Sequence, residues 1–171
     1  MHPPPPEAPR RAGPNNRPSP IANRHKGWNK ALMADQPPRT IRIAAALIED
    51  DLGRLLLVRK AGTRWFMQAG GKIEGEESAR STLCRELREE IGLDVAEDSA
   101  EYLGCYSAPA ANERGCVVEA ELFHLRTSFA PSASAEIAEA VWVAPAEAER
   151  MPLAPLTRDR VVPLARALRK N

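Results

Sequence analysis

Residues 71–93 read GKIEGEESARSTLCRELREEIGL, a glycine and an acidic loop followed by an amphipathic run. Ser78–Ile91 is predicted to be a helix, because Ala79, Leu83, Leu87 and Ile91 recur at four-residue spacing and Gly92 stops the run. Glu76 and Glu77 stand at its positive end. On such a helix Glu86, Glu89 and Glu90 occupy i, i+3 and i+4, which is one face. The apolar face points roughly 100° away from them, so the helix can bury one side and present three carboxylates beside it. Like charges this close repel. A divalent cation relieves the repulsion, and hard carboxylate oxygens suit magnesium, or manganese, whose shells keep water and substrate phosphates. The alternative is a solvated acidic face laced by Arg85–Glu89 and Glu86–Arg88 pairs. Residue types alone leave both readings open.

Working outward, Thr40–Ile48 and Arg54–Lys60 read as two strands joined by a turn at residues 49–53, giving a hairpin. A short strand near Phe66–Gln68 leads into Gly70-Gly71 and an acidic loop. Further strands are expected at Glu101–Ser107, Val117–Arg126 and Ala138–Val143, and a last helix at Thr157–Arg169 despite Pro163. Strands interleaved with two helices indicate a layered α/β domain, assigned to residues 39–171.

The 171 residues carry a formal net charge of +1, which conceals an asymmetry. Residues 1–40 hold 10 of the 16 prolines and seven Lys/Arg against two Asp/Glu, a formal +5; the remainder is −4. Residues 1–38 are therefore expected to be a disordered, Pro-rich, basic segment. Its prolines oppose the amphipathic helix of a transit peptide, and with Trp28 as its only aromatic it makes a poor nucleic-acid-binding arm. Translation starting at Met33 is a further reading. The early apolar run Ile43–Ile48 is far too short to span a membrane, and no secretory signal is visible. Cys84, Cys105 and Cys116 form neither a CxxC pair nor a disulfide framework, which fits a reducing, cytoplasmic setting.

The spacing within residues 71–93 resembles the Nudix box: a Gly, five residues, a Glu, seven residues, then Arg-Glu-aliphatic-x-Glu-Glu-x-Gly-aliphatic. Gly71, Glu77, Arg85, Glu86, Leu87, Glu89, Glu90, Gly92 and Leu93 fill every position. A chance match is on the order of 10⁻⁹ per start position. The order of flanking elements extends the resemblance over roughly residues 40–169. It implies an α/β/α sandwich with a mixed sheet and hydrolysis of a nucleoside diphosphate linked to another moiety, with Mg²⁺ or Mn²⁺. Carried over by position, Glu86, Glu89 and Glu90 are metal ligands, and Glu86 also orients or deprotonates water. The Gly71 carbonyl is a further ligand, Glu77 an outer ligand or network partner, and Arg85 holds a box glutamate in place. Ala69 stands where the family often has Pro, which would leave the loop freer.

The box is silent on the group attached to the diphosphate. Pro109 lies 16 residues after Leu93, a placement similar to a marker of ADP-ribose-hydrolysing members, while the short first hairpin resembles triphosphate-cleaning, MutT-type members. Trp65, Phe66 and Tyr106 are candidates for stacking on a base, Arg64 for a phosphate, and Asn112 and Glu113 for loop contacts. Glu136 and Glu139 precede the Trp142 strand, where some relatives place another acid; Glu139 is the choice here. His124 is read as packed or at the surface. The implied partner is a small-molecule nucleotide, with neither membrane nor nucleic acid, and a homodimer is in keeping with many relatives. Two other Nudix-like roles fit the sequence less well. A non-catalytic nucleotide sensor usually loses box glutamates, which are all present here, and an isopentenyl-diphosphate isomerase needs a catalytic cysteine motif not found here. The chain from Met33 onward is expected to carry the activity.

Overall fold

The computed structural model describes residues 37–169, together with His2. The disorder expected for residues 1–38 thus lies, but for His2, Pro37 and Pro38, outside the described residues.

Seven strands form one mixed sheet: β1 (Arg39–Glu49), β2 (Leu55–Lys60), β3 (Phe66–Met67), β4 (Ala69–Lys72), β5 (Glu101–Pro109), β6 (Cys116–Arg126) and β7 (Ile137–Val143). The long helix α1 spans Ala79–Ile91, α2 is the short Pro145–Ala148 turn, and α3 covers Val162–Leu168. β1 is central. It runs parallel to β6 along its whole length and antiparallel to β4 from Ile43↔Lys72 to Ala46↔Ala69.

The predicted hairpin forms at its turn, where β1 and β2 pair antiparallel, and splays apart beyond it. β1 meets β2 at the rung Glu49↔Leu55, and β2 otherwise pairs with β7 and β3. β1 is an Ile- and Ala-rich strand flanked on both sides by partners distant in sequence, so the local turn fixes where the two strands start and not how they run.

Alternation along the strands divides the core in two. Ala45, Leu47, Leu55, Leu57 and Leu122 face α3, with Val161, Val162 and Ala165. Ala44, Ala46, Ile48, Leu56, Val58 and Phe123 face α1, with Leu83, Leu87 and Ile91. Strands buried on both faces read as continuous apolar runs, as Ala44–Ile48 and Leu55–Val58 do. This is the expected α/β/α sandwich.

α1 forms where predicted. Ser78 caps it, its hydroxyl accepting the Ser81 N–H at 3.1 Å. Gly92, at φ 70°, ends it in the left-handed region, its N–H bonding the Arg88 carbonyl at 3.1 Å. Burial of Leu83, Leu87 and Ile91 contributes about 1.5–3 kcal/mol each, far more than helix propensity.

Two other expectations are revised. The Gly70-Gly71 loop is strand β4, and Ala69 is fully buried and paired with Ala46, so it does not loosen this segment. The last helix is irregular: Thr157–Val161 is a π turn feeding α3. Pro163 has no N–H and its ring would crowd the Asp159 carbonyl, which the wider turn relieves. Among the described residues no helix is long and apolar enough to cross a membrane.

Candidate active site

α1 lies against β4, which brings its acidic face onto two glycines. A Cβ on Gly70 would lie 2.3 Å from the Ala44 carbonyl oxygen, and φ at Gly70 is +140°. Only glycine lets this strand pass so close to β1. A Cβ on Gly71 would lie 2.2 Å from Cδ of Glu86. The Glu86 carboxylate therefore rests in the space a side chain at residue 71 would fill.

The three box glutamates differ sharply in setting. The Glu89 side chain is 54% exposed, that of Glu86 13% and that of Glu90 2%. The helical wheel places them on one face, but Glu90 is turned into the protein. Its Oε2 accepts the Gly70 N–H at 2.9 Å. Its Oε1 is buried and makes no hydrogen bond; the Lys60 ammonium stands 3.2 Å away, outside hydrogen-bond geometry. Burial pushes the Glu90 pKa up, against the opposing pull of the Gly70 N–H and of Lys60. Burial also works against the Lys60 charge, yet its hydrogen bond to Glu136 and the Glu90 carboxylate raise its pKa overall.

Arg85 organises the opposite side. Its Nε and Nη2 grip the two Glu77 oxygens at 3.0 and 2.9 Å, and Nη1 donates to Glu86 at 2.7 Å. Glu89 lies 3.5 Å from the same Nη1. Thr82 Oγ1 adds a bond to Glu77 at 2.9 Å. Hydrogen bonds from Arg85 and Thr82 hold the Glu77 pKa down at about 2, and Glu77 raises that of Arg85. In this arrangement Glu77 is a partner of the Arg85 network, both of its oxygens engaged. The expected Glu86–Arg88 pair does not form: residues two apart point to nearly opposite sides of a helix, and Arg88 turns to Asp94.

Among the described residues no three His, Cys, Asp or Glu side chains already converge as metal ligands do. Each box carboxylate is turned to a cation of the chain itself: Glu86 and Glu89 to Arg85, Glu90 to Lys60. The donor set nonetheless fits a hard divalent ion. It consists of carboxylate oxygens, and Glu90 Oε1 is buried without a hydrogen bond.

Beside this cluster opens a cleft of about 480 Å³, within the size range of small-molecule sites. Ile41, Ile43, Val118 and Leu156 give it apolar walls. Gly70, Gly71 and Glu86 line the end nearest the acidic cluster, with Lys60, Lys72 and Glu136. Asn112 and Glu113 line it as well, and Glu113 pairs with Lys72 at 3.0 Å. Pro109, the last residue of β5, is also in its wall.

Arg64, Trp65, Phe66 and Glu139 are not among the residues lining the cleft. Arg64 stacks on the Trp65 ring, 4.4 Å from its centroid. Phe66 packs in the α3-side core, and Glu139 pairs with Arg59 at 3.0 Å. Tyr106 bonds the Leu103 carbonyl, and His124 bonds the buried Glu49 at 3.1 Å. Sequence reasoning missed Lys60, Gln68 and the Ala154–Leu156 segment, all of which line the cleft. A Gln at the end of the expected strand Phe66–Gln68, among apolar residues, was the available signal at residue 68.

Known proteins resemble this chain in sequence and in fold. Residues 38–165 match the NUDIX domain family. The chain is 34% identical over 123 residues to the CTP pyrophosphohydrolase of Escherichia coli K12, covering 68% of this chain and 85% of that protein. It is 30% identical over 104 residues to the dihydroneopterin triphosphate diphosphatase of Haemophilus influenzae, 60% of each. The solution structure of the E. coli ORF135 protein superposes with a TM-score of 0.61 at 33% identity, covering 77% of this chain and 91% of that one. The crystal structure of a MutT protein from Methanosarcina mazei does so with a TM-score of 0.66 at 23% identity, covering 80% and 99%, which bears on the fold alone. Sequence spacing, the glutamates gathered against Gly70 and Gly71, and a family match across most of the chain converge: this protein belongs to the Nudix family of hydrolases.

Proposed function

We propose that the chain hydrolyses a pyrophosphate bond of a nucleoside triphosphate, with Mg²⁺ or Mn²⁺ held by Glu86, Glu89 and Glu90. The observation that carries this reading is the Glu86 carboxylate, seated over Gly71 at the end of a nucleotide-sized cleft. Two relatives support the triphosphate: their names specify CTP and dihydroneopterin triphosphate.

When bound, the cation neutralises charge on the leaving oxygens and lowers the pKa of a bound water. The chain's own residues do the rest. Arg85, itself gripped by Glu77, fixes Glu86 through Oε1, leaving Oε2 to accept the proton of the attacking water. The water oxygen bonds to phosphorus as the bridging P–O bond breaks, and the pyrophosphate leaves with the bonding pair. Lys60 places a positive charge at the cleft wall near the same cluster. The apolar walls take the base.

The test is pyrophosphate or phosphate release with Mg²⁺ from a panel of (d)NTPs, oxidised dGTP, ADP-ribose and dinucleoside polyphosphates. Glu89→Gln and Glu90→Gln are each expected to cut kcat by about 100-fold or more. Full activity in both variants overturns the metal assignment. Tight nucleotide binding with no cleavage of any panel member replaces a hydrolase with a sensor.

A further inference from the structure

The cleft holds one buried polar side chain whose presence the proposed chemistry does not explain. Gln68 lies between β3 and β4, 6% exposed, and lines the cleft among apolar neighbours. Behind it sits Thr157, fully buried in the π turn, whose Oγ1 donates to Gln68 Oε1 at 2.8 Å. The chain builds this contact from a distance of 89 residues. The Phe66 N–H bonds the Pro152 carbonyl at 2.8 Å and the Ala154 N–H returns to the Phe66 carbonyl at 2.9 Å. These two bonds dock the segment before the π turn onto β3 and set Thr157 against Gln68.

An amide has one carbonyl and two N–H donors. With Oε1 taken by Thr157, the Nε2 amine is the part left to serve the cleft, and among the described residues it makes no hydrogen bond. Leu at this position would complete an apolar wall equally well, so the amide is the feature that a polar ligand in the cleft can use.

We propose that Gln68, oriented by Thr157, is a specificity-determining residue that donates a hydrogen bond to a carbonyl oxygen on the edge of the bound nucleobase. Cytosine, uracil, thymine and guanine carry such an oxygen; adenine carries none. The cleft therefore favours the oxo-bearing bases over adenine. This inference rests on the reading of the cleft as a nucleotide site, so its test uses binding and not turnover.

The experiment is equilibrium binding of CMP, UMP, GMP and AMP to the full chain by calorimetry, with circular dichroism to verify the fold of each variant. At least one oxo-bearing monophosphate is expected to bind about tenfold or more tighter than AMP. Gln68→Leu should weaken that ligand about tenfold and leave AMP unchanged, closing the gap. Thr157→Val, which frees the amide to rotate, should narrow the gap while retaining binding. Gln68→Glu, an acceptor in place of a donor, should abolish the preference for the oxo-bearing ligand over AMP. Equal affinity for all four monophosphates, no binding of any of them, or a preference that survives Gln68→Leu in a folded protein overturns the proposal. Such results leave the triphosphate hydrolase reading to stand or fall on its own turnover panel.

Discussion

Replacing Gly71 with Ala separates the positioning of the Glu86 carboxylate from folding. The backbone at Gly71 has no left-handed φ, so an L-residue is sterically admissible there. The obstacle is Glu86, whose Cδ and two oxygens would lie 2.2–2.4 Å from the new Cβ. Carbon atoms pack at about 3.5 Å, so the carboxylate must move by more than about 1 Å. It is the end of a flexible side chain and can do so at about 1 kcal/mol of rotamer strain, a loss of about 3–5 °C in Tm. A displacement of that size costs about 100-fold in rate where geometry matters. The expected result is a folded protein with kcat down about 100-fold. Gly70→Ala is the contrast. There the new Cβ meets backbone, the Ala44 oxygen at 2.3 Å and Ala45 Cα at 2.6 Å, with φ at +140°. Neither can yield, and the cost is about 3 kcal/mol or more. Steady-state kinetics with Mg²⁺ and calorimetric melting of both variants supply the measurement. Full kcat in Gly71→Ala, or a melting loss equal to that of Gly70→Ala, refutes the reasoning.

Other perturbations follow from the same contacts. Arg85→Lys keeps the charge but cannot grip both Glu77 oxygens while reaching Glu86; kcat should fall about 10- to 100-fold with little change in melting. Asp50, 3% exposed, accepts the Leu52 N–H at 3.0 Å, the Arg54 N–H at 2.7 Å and Arg54 Nε at 2.7 Å. Asp50→Ala should cost about 1–3 kcal/mol in urea unfolding. Burial opposes the Asp50 charge, but Arg54 and Leu52 lower its pKa below the ordinary 3.8. Its contribution is therefore complete above that value and is lost as pH falls below it, so Asp50→Ala should show a flatter acid limb of the stability curve. A chain beginning at Met33 should retain the kcat of the full chain; loss of turnover with an intact fold would give residues 1–32 a role.

Local chemistry made much of this molecule legible. The α1 boundaries follow from Ser78, Gly92 and the four-residue apolar spacing, all of which act within one or two turns of chain. β5, β6 and β7 appear within two residues of where their patterns put them. β4 was not legible, because glycine has weak strand propensity and the reason for it here is the close passage of β1. The hairpin was legible at its turn and not beyond it: turn residues announce a reversal, while the remaining partners of each strand are chosen by distant segments.

The site divides along the same line. The residue order alone was enough to put three carboxylates on one face of a capped helix, since spacing along a regular helix is geometry. Only the tertiary structure decided how those carboxylates differ. Glu90 is buried because β4 offers the Gly70 N–H and β2 offers Lys60, while Glu89 faces water and Glu86 fills the space above Gly71. It also decided that Trp65 and Phe66 stand outside the cleft and that Gln68 meets Thr157 inside it. Those are contacts between residues far apart in the chain, and burial, partner and charge state are properties of the assembled core.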